Sequence, residues 1–188
     1  MKLKKHLFKK VKSTNDTALR LIKSGYQKGI VLSEYQSKGR GQRENKWISK
    51  KGNLFVTVFF DISKKMSIKK IVNLNLSIIK KIISKRTKLI AIVKKPNDIL
   101  LDKKKVCGIL QEVLTFNDKF FLIVGIGINT YFAPEIGKTK TSCLKNYSKI
   151  KINNNKILID IKKIYEKIIV DVKHNNFSLI KKKYKWTI

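Results

Sequence analysis

The sequence predicts a single α+β (mixed α/β) domain, built as a mostly antiparallel mixed sheet packed with helices, and three observations carry that prediction. Apolar residues recur at helical spacing in 67–86 and again in 157–172. Short β-branched and aromatic runs, bounded by Gly, Pro, Asn and Asp, punctuate the rest of the chain. Two of those runs, 106–116 and 120–129, are joined by Asn117-Asp118 and fit an antiparallel hairpin.

Taken in order, residues 6–11 (HLFKKV) read as a first strand. In the following STNDTALRLIKSG, Ser13 with Asp16 three residues on resembles a capping box, and Gly25 is a C-terminal stop, so the first helix is short. Residues 30–36 (IVLSEYQ) form a second strand, a basic loop follows, and 53–61 form a third. In 67–86 the positions Ile68, Ile71, Val72, Ile79, Ile82 and Ile83 make one apolar face, with lysines opposite. Residues 89–93 (LIAIV) read as a short strand broken by KKPND, because proline donates no hydrogen bond and Asn-Asp favours a turn. The hairpin comes next. In the last segment Ile161, Ile164, Tyr165, Ile168, Ile169 and Val172 share one helical face.

Composition narrows the function classes. A chain of 188 residues is long enough to bury roughly two-thirds of its unfolded surface as one domain. Its formal charge of +32 invites a nucleic-acid reading, yet only four of the 44 basic residues are arginine and the lysines are spread through every segment. The aromatics Phe55, Phe59, Phe60, Phe120 and Phe121 fall inside strands and read as core, not as stacking platforms, so a basic nucleic-acid-binding module is the weaker alternative. Cys107 and Cys143 form no CxxC pair, and His6 and His174 lie near opposite ends, so neither a zinc site nor a Cys/His dyad is expected. The cysteines read as buried thiols in a reducing compartment. The apolar run 120–128 is too short for a membrane span, and the N-terminus lacks a signal-peptide core, so the expected location is the cytoplasm, with no membrane partner.

Against that background two of the few arginines and two of nine glycines crowd into 39–43, in the loop SKGRGQRENKW just before a strand. Glycines leave backbone N–H groups open to close approach and arginines add fixed charge, which is how a chain holds an anion; an ordinary solvated loop is the plainer reading. The wider pattern decides between them. STN (13–15), YQSKGRGQRENKW (35–47), KKPNDILLDKKKVCGILQE (94–112) and GIGIN (125–129) stand in this order at strand ends and turns.

Together these motifs resemble the catalytic domain of biotin protein ligases, over roughly residues 6–186. That family's loop runs Gly-Arg-Gly to a tryptophan, its next motif is Lys-Trp-Pro-Asn-Asp with a lysine shortly before Ala-Gly-Ile-Leu, and its last is Gly-x-Gly-x-Asn. The resemblance implies a fold like that of class II aminoacyl-tRNA synthetases. It implies ATP and biotin as substrates with Mg²⁺, and a biotin carboxyl carrier protein as acceptor. No specific nucleic-acid partner is implied, and the chain is expected as a monomer or homodimer.

Residue by residue, the resemblance implies that Ser13, Thr14, Asn15 and Gln36 contact biotin, with Gly39, Arg40, Gly41, Gln42, Lys105 and Gly108 completing its site. Arg40 and Lys105 are the implied catalytic residues, Arg40 facing the biotin carboxylate and phosphate and Lys105 bridging that carboxylate to the α-phosphate. Lys104 stays a rival to Lys105 by a one-residue slip, and Ser13 reads equally as a plain helix cap. ATP is assigned Arg40, Arg43, Trp47, Lys94, Asn97, Asp98, Lys105 and Asn129, with Gly125 and Gly127 admitting the nucleotide and Asp98 assisting the metal. Trp186 is assigned to packing. The family pattern is broken at Gln42, Glu44 and Asn45, where arginine, glycine and arginine are common, and at Lys95, where tryptophan is common. These changes imply a looser hold on adenylate and a lost aromatic wall. No DNA-binding helix-turn-helix precedes Ser13 and the C-terminal small β-barrel is absent or vestigial, so the expectation is a ligase catalytic domain over 1–188 without repressor function. The nearest alternative is a lipoate ligase or octanoyltransferase of the same fold; the histidine after a Gly-Gly-rich stretch that marks those enzymes has no counterpart between His6 and His174.

Overall fold

The computed structural model describes residues 2–137, 139–174, 178 and 180, so Trp186 lies outside the described residues. Its strands are β1 (Lys5–Val11), β2 (Lys28–Gln36), β3 (Leu54–Ile62), β4 (Ile92–Lys94), β5 (Asp98–Leu101), β6 (Lys104–Phe116) and β7 (Lys119–Ile128). Its helices are α1 (Thr14–Lys23), α2 (Ile68–Thr87) and α3 (Asn154–Lys173), with a 3-10 turn at Leu144–Tyr147. The strands make one sheet in the order β1-β2-β3-β7-β6-β5-β4. Only β1 and β2 run parallel; α1 is the crossover between them, and every other neighbouring pair is antiparallel. The predicted α+β architecture is the observed one.

Alternation along β7 explains how the layers form. Leu122, Val124, Ile126 and Ile128 point to one face and are buried with Ile71, Leu74, Ile78 and Ile82 of α2 and Ile161, Tyr165, Ile168 and Ile169 of α3. A buried hydrogen-bonded chain fixes that layer: the Tyr165 hydroxyl donates to Asn75 Oδ1 at 2.8 Å, and Asn75 Nδ2 donates to Gln111 Oε1 at 2.6 Å. On the opposite face Phe121 and Ile123 join Val31, Phe59 and the α1 residues Ala18 and Ile22 in a smaller core. Beyond Ile123 that same face carries Gly125 and Gly127, so the second core stops there and β7 presents no side chain.

Two sequence expectations need correction. The apolar run 89–93 gives only the three-residue β4, because Lys88 caps α2 in the left-handed region (φ 58°) and Leu89 and Ile90 are exposed in the connection that follows. The KKPND break is followed by a strand that was not expected, β5, which forms a hairpin with β6 through Asp102 and Lys103, at φ 47° and 58°. Asn117 and Asp118, the expected hairpin turn, also sit at positive φ, 46° and 56°.

Candidate active site

The bare part of the sheet becomes the floor of a cavity of about 350 Å³, walled by the start of α1, the 37–47 loop and the β4–β5–β6 strand ends. Across this floor Thr57, Gly125 and Leu110 stand in register on β3, β7 and β6. A Cβ at Gly125 would lie 2.2 Å from Asn15 Oδ1, so only glycine lets the Asn15 amide rest on the sheet. Both neighbouring strands then grip that amide. Thr57 Oγ1 donates to Asn15 Oδ1 at 2.7 Å, while Asn15 Nδ2 donates to Glu112 Oε2 at 2.7 Å and to the Leu110 carbonyl at 3.4 Å. Both Asn15 N–H bonds are thus engaged, and the polar capacity left on this side chain is an acceptor lone pair of Oδ1.

The neighbouring residues of α1 are equally fixed. Ser13 is the N-cap, its Oγ accepting from the Asp16 N–H at 3.4 Å, and it also lines the cavity, so the cap and site readings hold together. Its hydroxyl proton is the donor left over. Thr14 spends both its N–H (2.8 Å) and its hydroxyl (2.9 Å) on Gln36 Oε1, and Gln36 Nε2 donates to Ser49 Oγ at 3.1 Å. Thr14 therefore acts chiefly by orienting Gln36.

The loop is a small hairpin. Arg40 and Lys46 form an antiparallel bridge, Trp47 N–H donates to the Gly39 carbonyl at 2.9 Å, and Gly41 N–H donates to Asn45 O at 2.6 Å. Its tip places Arg43 and Glu44 at φ 52° and 62°; Glu44 occupies a left-handed position that suits the glycine common in relatives, at a cost of roughly 1 kcal/mol. Trp47 folds inward onto a second pair of glycines, Gly108 and Gly127, which face each other on β6 and β7. A Cβ there would come within 2.7 Å and 2.4 Å of the indole, so this part of the floor is shaped to take a flat ring system.

Arg40 lines the cavity, and its guanidinium makes a bidentate pair with Glu112, at 2.9 and 2.8 Å, and an ion pair with Asp16 at 2.9 Å. Burial works against its charge, but the two carboxylates outweigh burial and raise its pKa above the ordinary arginine value. Lys105 reaches into the cavity: Nζ lies 2.7 Å from Asp98 Oδ1 and 5.5 Å from the centre of the Trp47 ring. Lys104 is exposed and pairs with Asp102 at 3.9 Å, so of the two lysines it is Lys105 that lines the cavity. The turn at Asp102-Lys103 sets that register.

Among the other expected residues, Gly41, Gln42, Arg43, Lys94, Asn97 and Asp98 line the cavity. Gly39 and Asn129 do not. Gly39 is packed beneath the Trp47 carbonyl, where a Cβ would come within 2.6 Å. Asn129 is buried at the end of β7 and holds the 142–144 segment: its Nδ2 donates to the Ser142 carbonyl at 3.2 Å and its carbonyl accepts from Leu144 N–H at 2.8 Å. Lys95 is exposed and outside the lining, so the residue at this position builds no wall here. The sequence reading missed Glu112, Asp16, Thr57 and Lys46. For Glu112 the available signal was its place two and four residues beyond Leu110 and Gly108, on the same face of β6.

Metal-holding capacity is slight. Among the described residues no group of three or more His, Cys, Asp or Glu could hold an ion, and Asp98 is the carboxylate beside Lys105. Cys107 and Cys143 are buried and unpaired, and burial drives the Cys107 thiol pKa upward. No helix among the described residues is long and apolar enough to cross a membrane.

Comparison with known proteins gives the family and the fold. Residues 7–129 match the model of the biotin/lipoate A/B protein ligase family. The bifunctional ligase/repressor BirA of Bacillus spizizenii is 29% identical over 181 residues, covering 91% of this chain and 55% of that protein. BirA of Escherichia coli is 30% identical over 126 residues, 63% of this chain and 38% of its own. The chain thus spans about half the length, or less, of these relatives. Among solved structures, biotin protein ligase from Aquifex aeolicus in complex with biotin and ATP superposes with a TM-score of 0.72 at 27% identity, covering 96% of this chain and 76% of that one. A bi-partite lipoate protein ligase from Thermoplasma acidophilum shares the fold, with a TM-score of 0.57 at 10% identity over 90% of this chain and 84% of that one.

Proposed function

The chain belongs to the biotin/lipoate A/B protein ligase family, and on that premise we propose that it activates biotin with ATP as biotinyl-5′-adenylate and passes the biotinyl group to a lysine of a biotin carboxyl carrier domain. The observation that carries biotin, in preference to another acid, is the polar end of the cavity. Ser13 offers a hydroxyl proton, and Asn15, with both N–H bonds engaged, offers an acceptor. A cyclic urea matches that pair, since its carbonyl accepts and its N–H donates. The dithiolane of lipoate has no N–H to give, so it gains no hydrogen bond at the remaining lone pair of Asn15 Oδ1, which a ureido N–H would make in addition to the one from Thr57.

From that anchor the acyl chain runs past the Trp47 indole, which covers Gly108 and Gly127, towards Lys105. A carboxylate oxygen of biotin attacks the α-phosphorus of ATP, the P–O bond to the β-phosphate breaks, and pyrophosphate leaves. Lys105, held by Asp98 at 2.7 Å, is the cation placed to stabilise the charge shared by the two reacting anions. Arg43, Lys46 and Lys94 line the same cavity and neutralise the phosphates, and Trp47 covers the nucleotide from the loop. The acceptor ε-amine then attacks the acyl carbon, AMP leaves, and the amide nitrogen loses its proton. No side chain of the protein becomes acylated.

Mg²⁺ fits this donor set as an ion held mainly by substrate phosphates, with Asp98 as its protein oxygen ligand, in keeping with the preference of Mg²⁺ for few carboxylates and several other oxygens. Bound there, it would supply charge neutralisation at the phosphates.

Biotin-dependent exchange of labelled pyrophosphate into ATP tests the first half-reaction, with lipoate run in parallel. Exchange with biotin and not lipoate is expected. Exchange with lipoate alone, or with neither in a folded sample, overturns the reading.

A further inference from the structure

Glu112 is placed to do more than balance charge. Its carboxylate takes Asn15 Nδ2 at 2.7 Å on Oε2 and the two terminal nitrogens of Arg40 at 2.9 and 2.8 Å on Oε1 and Oε2. Asp16, one residue after Asn15, adds its own contact to Arg40 at 2.9 Å. One strand residue therefore joins the polar end of the cavity to the loop that covers it. The charge count points the same way: one guanidinium set against two carboxylates leaves the cluster at net −1, with no surplus positive charge to attract an anionic ligand. Lys105, Arg43 and Lys46 remain to face the anion, and Arg40 is an anchor. Bidentate guanidinium–carboxylate pairs are geometrically demanding, which suits a pin better than a roving ligand.

We propose that Glu112 is a positioning residue, whose carboxylate fixes the Asn15 amide with its oxygen free to accept and, through Arg40, pins the 37–47 loop over the cavity. Its assignment to biotin recognition rests on the function proposed above, whereas the pinning of the loop does not.

The two parts are tested separately on the full chain. Hydrogen–deuterium exchange in the absence of added substrate reads the pin. In Glu112→Gln the Gly41 and Trp47 amides, bonded within the loop at 2.6 and 2.9 Å, are expected to exchange about tenfold faster, while the β6–β7 amides keep their protection. Arg40→Gln, which leaves the strands untouched and removes the Asp16 pair as well, should give an equal or larger loop effect, and the double variant no more than Arg40→Gln alone. Unchanged loop exchange, or additive single effects, overturns the pin. Pyrophosphate exchange then reads the recognition. The biotin KM of Glu112→Gln is expected to rise tenfold or more, with the ATP KM within twofold and kcat little altered. Equal rises in both KM values, or a fall confined to kcat, overturn the recognition role. If the unsubstituted chain shows no biotin-dependent exchange, the proposed function fails while the loop measurement still decides the pin.

Discussion

Gly125→Ala is the substitution whose effect follows most directly from the coordinates. The new methyl would stand 2.2 Å from Asn15 Oδ1, 2.9 Å from Cγ and 3.0 Å from Nδ2. Relief to an ordinary contact needs a shift of about 1 Å in the amide. Thr57, Leu110 and Glu112 hold it from the floor and sides, so the amide must lift into the cavity. That movement strains two neutral hydrogen bonds and one to a charged group, and it fills the space proposed for the ureido ring. Loss of the oriented acceptor, together with the steric intrusion, is worth about 3 kcal/mol in biotin binding, on the order of a hundredfold in Kd. The fold should survive, since Gly125 has no left-handed backbone requirement and the amide has a cavity to move into.

Isothermal titration with biotin, beside a thermal melt, separates the two effects. Gly25→Ala is the reference substitution: Gly25 sits at φ 94° with nothing within 4 Å of the added Cβ, so it should cost roughly 1 kcal/mol in stability and leave biotin binding unchanged. A folded Gly125→Ala protein that binds biotin as tightly as the parent would refute the placement of Asn15 against the ligand. So would a further large loss when Asn15→Ala is added, because the amide is already displaced.

Lys105→Ala should lower pyrophosphate exchange by about a hundredfold, roughly 3 kcal/mol of charge-assisted stabilisation, while Lys104→Ala stays within twofold; the opposite ranking would reverse the register. Gln42→Arg, which restores the common loop arginine at a position lining the cavity, should slow release of preformed biotinyl-adenylate, and an unchanged release rate would show that position 42 does not contact it. His6 has its pKa lowered by burial and then by Lys4. The folded state therefore disfavours its proton, the unfolded chain takes the proton up first as pH falls below about 6.5, and stability should fall with it. His6→Phe keeps an aromatic ring against Tyr26, where the imidazole now packs at 4.9 Å, and should remove that part of the pH dependence of the melting midpoint.

The two faces of β7 show what the sequence made legible. FFLIVGIGI announces a strand whose apolar alternation ends in two glycines on one side, and that suffices to place a hollow at the strand end. What fills the hollow depends on residues far away in the chain. Asn15 reaches it from 110 positions earlier and Trp47 from 80, and no local pattern records either contact. A lysine at positive φ explains the missed β5–β6 hairpin: Asp102 is a common turn residue, but Lys103 at φ 58° is not, whereas Asn117-Asp118 has a turn residue at both positions. The apolar run 89–93 misled for the converse reason: its composition fits a strand, but the left-handed Lys88 spends half of it turning away from α2.

Charge was harder to place than shape. A loop with two arginines in a +32 chain reads as an anion site, and the expectation that Arg40 meets the substrate follows from composition and family pattern alike. Acidic residues are scarce here, 12 among 188, so a pair of them converging on one guanidinium is the informative event. In the sequence Asp16 is a helix-start residue and Glu112 part of a strand, and each is visible as a partner of Arg40 only when α1, β6 and the loop are assembled. The same assembly leaves Lys105 beside Asp98 at the other end of the cavity, with the glycine floor between them. A site organised in this way gives its two cations different surroundings: Arg40 is held by two carboxylates beside the loop, and Lys105 by one carboxylate inside the cavity.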